Sequence, residues 1–486
     1  MGSAAARWVL LATVLGSGVA FLDATVVNVA LPAIAEDLDG SLADLQWVLN
    51  AYLVTLSALV LLGGSLGDRF GRRRVFLAGL FGFTGASVVC GLAPGVGVLI
   101  AARALQGMAA ALLVPASLAI LSATFHPDDR ARAVGAWSGL SGVAGAVGPF
   151  VGGYLVDTLS WRVAFLVNVP LAAAVVVAVR HVPETRAADA RRPDVPGALM
   201  ASAGLGLSTY ALIEAQMVVG VVGLLVLVAF VVVESRSPAP MLPLALFRNR
   251  QFSGANLTTL AVYAALSGAF FLLVLQLQVA LGYSALEAGS ALLPVTLLMV
   301  GLSARAGALA QRIGPRLPMT VGPVVMATGL LLWTRVDVGA SYAGAVLPGA
   351  LVFGLGLAAT VAPLTATIMA SADDEHLGAA SGVNNAVART AGLLAVSVLP
   401  LVVGLDTAGS PGRLDAAADD AMVVGAGLAV VGGLVALVTV RTAARVATTT
   451  QPNAAGHPCG DPCLRDAVGA PRPRRAARSG PPRDAG

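Results

Sequence analysis

The sequence predicts an all-α polytopic membrane protein: two six-helix bundles in parallel repeat plus two extra central helices, fourteen transmembrane helices in all. Three observations carry that prediction. First, apolar residues make up 57% of the 486 positions and charged residues only 12%, about half the roughly one quarter typical of a soluble domain, and mean hydropathy is +0.84. Second, apolar runs of membrane-spanning length recur along the chain and do not alternate as barrel strands of about ten residues must. Third, a dense basic loop, Gly64–Arg74 (GSLGDRFGRRR), returns in fainter form as Gly307–Arg316 (GALAQRIGPR).

Taken in order, six apolar runs lie near 8–31, 46–66, 75–94, 97–121, 133–156 and 162–180. Two more follow, near 196–214 and 217–234, then six, near 253–281, 287–306, 317–334, 343–369, 378–404 and 420–440. Each is about twenty residues or longer, enough to cross a hydrocarbon core of about 30 Å. Arginines set the orientation. Arg69, Arg72, Arg73 and Arg74 follow the second run, Arg130 and Arg132 the fourth, and Arg186, Arg191 and Arg192 the sixth. The opposite loops carry acids, Glu36, Asp37, Asp39 and Asp44 among them. Both termini are therefore expected in the cytoplasm and the chain in the plasma membrane.

The two basic loops start 307 − 64 = 243 residues apart, so the third run matches the eleventh. The expected division is an N-terminal six-helix bundle over 1–180, two inserted helices with linkers over 181–252, a C-terminal bundle over 253–440 and a disordered basic cytoplasmic tail over 441–486. All 30 basic residues are arginine, and the net charge of +4 is spread over loops and tail, which is no nucleic-acid footprint. Cys90, Cys459 and Cys463 make no disulfide framework, and His457 with the two tail cysteines lacks a fourth metal ligand. The triplet Ala33-Ile34-Ala35 imitates a leader cleavage site. The apolar stretch before it is too long for a leader, so no cleavage is expected.

An ionisable residue inside a bilayer costs about 2.5–3.5 kcal/mol on insertion scales, so each one needs a partner or a task. Asp23 is placed about 12 Å in from the outer end of the first run and Arg103 about 9 Å in from the same side, which allows them to pair. Two readings stand: a proton acceptor balanced between burial and the neighbouring guanidinium, or a static ion pair holding helices together. Arg389 falls near the middle of the thirteenth run, one to two turns after Asn384 and Asn385, and is expected to line a water-filled cavity with them. Arg305 is close enough to the basic end of its run to snorkel. In the fifth run Gly135, Gly139, Gly142, Gly145, Gly148, Gly152 and Gly153 leave the helix nearly bare on one side, and Pro149 adds a kink point.

These residues resemble the major facilitator superfamily and, within it, the fourteen-span drug:proton antiporters. Gly64–Arg74 matches the superfamily's loop motif, including Gly64, Asp68, Arg69, Gly71 and Arg72. Arg103-Ala-Leu-Gln106-Gly107 resembles the fourth-span motif, and Gly145 through Gly153 resembles the fifth-span motif of exporters. Leu22-Asp23 through Asn28 and Pro32 is similar to a first-span motif of the fourteen-span branch, and Trp161-Arg162, Phe165, Asn168 and Pro170 to its sixth-span signature. The resemblance implies proton transfer at Asp23 and Arg103. It also implies a cytoplasmic gate in which Asp68 caps a helix end of the other half, with Gln311 in the matching place of the second copy.

The expected function is a proton-coupled exporter of apolar, cationic or zwitterionic small molecules such as drugs, working by alternating access. Its cavity is expected to include Asp23, Asn28, Arg103, Gln106, Asn384, Asn385 and Arg389. Gly64, Asp68, Arg69, Gly71, Arg72, Gly145, Gly148, Pro149 and Gly152 are expected to serve gating. The expected partners are substrate, protons and lipid, with no cofactor, metal or nucleic acid, and the protein is expected to be monomeric. An exporter of one endogenous metabolite, and a membrane receptor or scaffold without transport, are the alternatives. An enzyme is not expected, since no nucleophile or His/Cys/acid cluster stands out at a loop.

Overall fold

The fourteen expected spans are present as fourteen helices long and apolar enough to cross a membrane. In the computed structural model the described residues are 4–187, 193–238, 240–337, 339–373, 377–405 and 411–441. Residues 442–486, with His457, Cys459 and Cys463, lie outside them, as do Arg191 and Arg192. The spans are α1 (Ala6–Leu38), α2 (Leu42–Phe70), α3 (Arg72–Gly91), α4 (Val96–Thr124), α5 (Arg132–Thr158), α6 (Trp161–Val179) and α7 (Val195–Ile213). After them come α8 (Met217–Arg236), α9 (Arg250–Ala280), α10 (Ala285–Ile313), α11 (Arg316–Trp333), α12 (Tyr342–Ala370), α13 (Gly378–Val402) and α14 (Leu414–Thr439). Among the described residues there is no strand. The protein is a multi-pass membrane protein.

Local sequence explains where the helices begin. Ser41 and Asp44 form a capping box at the start of α2, and Ser284 with Glu287 forms another at the start of α10. Asn249 caps α9 and Asp194 caps α7, each side chain accepting from backbone N–H groups that have no partner inside the helix. The repeat is visible in the backbone. Gly71 between α2 and α3 has φ 110°, and Gly314 between α10 and α11 has φ 87°; they are 314 − 71 = 243 positions apart, the spacing of the two basic loops. That left-handed region is the reason both loops need glycine there.

One span is longer than the apolar pattern indicates. α1 continues through Pro32 to Leu38, because a proline costs one backbone hydrogen bond and the residues after it, Ala33-Ile34-Ala35, are comfortable in a helix. Ile34 is fully buried against α2, α4 and the second half. The leader-like triplet is thus part of the packed interior.

Between helices, small residues replace the hydrophobic effect as the packing device. A Cβ at Gly63 or Gly107 would collide with backbone on the facing helix, so these two glycines let α2 and α4 touch. Gly322, Gly329 and Gly356 do the same for α11 and α12. α8 packs along α7 through Gly204, Gly220 and Gly223, and α7 rests on α2 and α13. Most of α8 presents exposed Val and Leu, as a lipid-facing helix should. Replacing Gly356 by valine should destabilise the protein by about 2 kcal/mol, in the range for overpacking, seen as a lower thermal midpoint in detergent. Gly427→Val, at a glycine with nothing within 4 Å of its missing Cβ, should leave the midpoint unchanged.

Candidate functional site

The first half is built around a buried polar cluster drawn from five helices. Asp23 of α1 is 0% exposed and Arg103 of α4 is 1% exposed. Arg103 Nη1 donates to Asp23 Oδ2 at 2.6 Å and to Gln106 Oε1 at 2.6 Å, and its Nε donates to the Val48 carbonyl of α2 at 3.0 Å. Gln106 Nε2 donates to Asp23 Oδ1 at 2.8 Å and to Ser87 Oγ of α3 at 2.8 Å. Asn168 of α6 donates to the same Asp23 oxygen at 3.0 Å and to Ser87 Oγ at 3.2 Å. The guanidinium lies 4.4 Å from the Tyr52 ring centre, where a desolvated cation is attracted to the ring face. Each carboxylate oxygen is therefore satisfied, as burial of a charge requires.

Asn168 reaches the cluster because α6 is broken beneath it. The helix runs Trp161–Leu166 and resumes at Asn168. Pro170 has no N–H for the Leu166 carbonyl, which loosens that turn. Ser87, Tyr52 and Asn168 had no role in the sequence reading beyond Asn168's place in a motif. A serine or tyrosine in an apolar run carries no periodic signal that marks it as a partner.

Asp23 lies farther from the acidic end of its helix than the apolar run indicates. With α1 extended to Leu38, it is 38 − 23 = 15 residues from the acidic end of the helix, about 22 Å along the axis. It meets Arg103, so the expected pairing occurs. The cluster also lies off the central cleft. Asp23, Arg103 and Gln106, expected to line the substrate cavity, are sealed among the helices of their own half.

The residues that do face the region between halves are others. Asn28 lines a small cavity of about 60 Å³ with Thr25, Gly145, Pro149, Phe270 and Gly289, between α1, α5, α9 and α10. Arg389 of α13 is half-buried, and its guanidinium stands 5.3 Å from the ring centre of Phe21 on α1, across the halves. Asn385 is half-buried one turn earlier on the same face. Asn384 turns back into its own half, donating to Thr259 Oγ1 at 2.8 Å and Asn256 Oδ1 at 3.3 Å on α9.

The two ends of the interface differ. Toward the acidic loops the halves are fastened. Gln46 of α2 donates to the Val396 carbonyl at 2.7 Å, Asn50 to Ser397 Oγ at 3.0 Å, and Gln278 to the Val29 carbonyl at 3.0 Å. Asp157 at the end of α5 accepts from the backbone N–H groups of Ala285 and Leu286, at 3.0 and 2.9 Å, which start α10. Helical period places Gly135, Gly139, Gly142, Pro149 and Gly153 of α5 on one face. At the acidic end of that face, Gly153 packs on Ala285 and Gly289 of α10 packs on the Pro149 carbonyl. At the basic end nothing lies within 4 Å of where a Cβ would stand at Gly135, Gly139 or Gly142, nor at Gly301 of α10. The α5–α10 flank is thus closed toward the acidic side and open toward the basic side.

A helix cap across the halves does exist, but Asp157 makes it at the acidic end. Asp68, given that role by resemblance, is held inside its own loop. Its Oδ1 accepts from Arg72 Nε at 2.9 Å and Nη2 at 2.7 Å. Gly71 is packed against Glu184, whose carboxylate accepts from Arg73 N at 3.1 Å at the start of α3. Glu184 is a residue the sequence reading passed over. It sits 111 positions away, beyond any local motif. Arg69 is exposed, its guanidinium 5.6 Å from the Phe70 ring centre, and Gly64 lies near Pro115 of α4. Gly145, Gly148 and Gly152 pack on Phe21, Thr25 and Val26 of α1.

Residues 13–396 match the sequence profile of the Major Facilitator Superfamily. The chain belongs to that superfamily. It is 38% identical to a puromycin resistance protein of Streptomyces alboniger over 410 residues, 82% of each chain. It is 35% identical to a probable actinorhodin transporter of Streptomyces coelicolor, covering 81% of this chain and 72% of the relative. A multidrug resistance protein of Mycobacterium tuberculosis is also 35% identical, covering 81% and 75%. Among solved structures, a bacterial homologue of the human lysosomal transporter Spinster superposes with a TM-score of 0.63 at 16% identity, over 91% of this chain and 98% of the other; at that identity the likeness concerns the fold.

Within this superfamily fold, the open flank has a direct test. A cysteine at Gly139 should react with a membrane-impermeant maleimide supplied from the basic side, and a cysteine at Gly153 should not. For the buried pair, Arg103→Gln leaves a carboxylate without its charge partner and should cost about 3 kcal/mol or more in thermal stability. The double variant Asp23→Asn/Arg103→Gln should recover part of that loss.

Proposed function

We propose that this chain is a proton-coupled exporter of apolar small molecules such as drugs or antibiotics, working by alternating access between its two six-helix halves. The relatives named as resistance proteins and as a probable transporter support export. The observation that carries proton coupling is the carboxylate of Asp23, fully buried and tied to a single guanidinium beneath the cleft. In this reading both termini and the open flank face the cytoplasm, in keeping with the arginine-rich loops on that side. The two halves are 1–180 and 253–440, the inserted pair with its linkers is 181–252, and the tail is 441–486. The protein acts as a monomer and uses no cofactor. Its energy source is the proton gradient, each proton crossing the full potential contributing about 2.3 kcal/mol per 100 mV.

In this reading the cluster is a proton holder with a built-in exchange of partners. While Asp23 is ionised it accepts from Arg103, Gln106 and Asn168. Once protonated, it needs an acceptor for its new O–H. Asn168 Oδ1 is buried and without a hydrogen-bond partner, so a half-turn of that amide presents an oxygen to the acid. Neutral Asp23 no longer balances Arg103, and the helices that supply the cluster are released from their present register. The Asp157 cap on α10 then opens, and Asp68 leaves Arg72 to fasten the basic side.

In everted vesicles, substrate should dissipate an imposed pH gradient with the native protein and fail to do so with Asp23→Asn. Undiminished proton-coupled flux in that variant would remove Asp23 from the coupling role, and ligand binding without flux in the native protein would indicate a receptor instead.

A further inference from the structure

The charges deep within the spans do not balance, and the imbalance points to a class of ligand. Seven or more positions inside a span, the charged residues are Asp23, Arg103, Arg305 and Arg389. Asp23 and Arg103 neutralise each other at 2.6 Å. What remains is two arginines and no carboxylate. Arg305 is exposed, eight residues from the basic end of α10, within reach of the interface. Arg389 lies eleven residues into α13, too deep to reach either surface.

Its surroundings narrow the choice further. Arg389 stands on the face of α13 turned to the first half: Gly382 lies against Leu61 of α2, and Gly392 lies near Leu53 of α2 and Ser267 of α9. Phe21 occupies one face of the guanidinium. Among the described residues no hydrogen bond engages its N–H groups and no carboxylate is within ion-pair distance. A guanidinium presents five N–H donors around its edge and none of an acceptor. Tyr263 of α9 is half-buried and its hydroxyl has no hydrogen-bond partner among the described residues. Such a site can receive an apolar ring against Phe21 and an acceptor-only anionic group through Arg389.

We infer that Arg389 is a substrate-binding residue and that the ligand is an amphipathic organic anion, carrying a carboxylate, phenolate or similar group on an apolar ring system. This rests on the export reading and replaces its expectation of a cationic or zwitterionic substrate. That expectation counted Asp23 as a cavity acid, and Asp23 is committed to Arg103 inside the first half. Charge discrimination here works in both directions, since an unpaired cation repels a cationic ligand as it attracts an anionic one.

The test uses two dyes sharing a xanthene core, fluorescein as the anion and rhodamine 6G as the cation. Binding to the purified full-length protein is read by fluorescence anisotropy, and flux is read separately in everted vesicles. The native protein should bind fluorescein about tenfold more tightly than rhodamine 6G, the low end expected for one charged contact. Arg389→Gln should abolish that preference, by weakening fluorescein about tenfold and not weakening rhodamine 6G, while Arg389→Lys should keep part of it. Thermal midpoints of the variants establish that they are folded. Tighter binding of rhodamine 6G by the native protein, or unchanged fluorescein affinity in folded Arg389→Gln, would overturn the assignment. Charge-selective binding that depends on Arg389, without energised flux of either dye, would sink the export reading and leave the ligand class standing.

Discussion

The first half of this protein is organised by the electrostatics of one carboxylate. A charge with no water around it must be met by an opposite charge and by donors on every lone pair. Asp23 meets that demand with Arg103, Gln106 and Asn168, which fixes α1 against α4 and α6. Ser87 ties in α3, and the Val48 carbonyl with the Tyr52 ring ties in α2. Replacing such a cluster with well-packed apolar residues is often neutral or stabilising by 1–4 kcal/mol in proteins generally. Net stability is thus a poor explanation for retaining it here. What the cluster adds over an apolar core, in the proposed reading, is a state that would change on arrival of one proton.

The close packing around the cluster would pass such a change on to whole helices. α1 carries Asp23 on the side toward its own half and Phe21 on the side toward the cleft, since two residues are about 200° apart on a helix. The same helix is gripped by α5 at Gly145, Gly148 and Gly152, where α5 has no side chain of its own to absorb a shift. α5 in turn ends in Asp157, the cap on α10. A chain of rigid contacts therefore runs from the buried acid to the fastening at the acidic end. The bare basic end of α5 shows the other side of this geometry: the glycine face that is filled at Gly153 is empty at Gly139.

The architecture was legible because it is written in run length, arginine placement and a 243-residue echo, signals that a bilayer enforces almost without exception. The Asp23–Arg103 pairing was legible as well, because two lone charges at compatible depth have few other partners. Which way they face was not. Hydropathy reports that a helix crosses and says little about its rotation, so a charge buried within one half and a charge lining the cleft look alike in sequence. Asp157 escaped notice for a related reason: an acid at a span end reads as interfacial, and only the folded chain shows that it caps a helix from the other half. Asp68 shows the converse, a motif residue whose expected partner across the halves is replaced in this conformation by Arg72.

Separation of the two sites constrains how coupling can work. If substrate and proton competed for one carboxylate, that acid would have to be open to the cleft, and Asp23 is 0% exposed. Arg389 belongs to the other half and meets the first half at Phe21, two positions from Asp23 along α1. Rotation of α1 on protonation would move Phe21 across the guanidinium it now covers, changing access to Arg389 without any shared atom. Anion and proton would then be linked through the orientation of one helix. The sign of the proposed exchange is also consistent: the ionised acid would keep α1 in the register seen here, with Arg389 available to an anion from the basic side, and an arriving proton would dissolve that register.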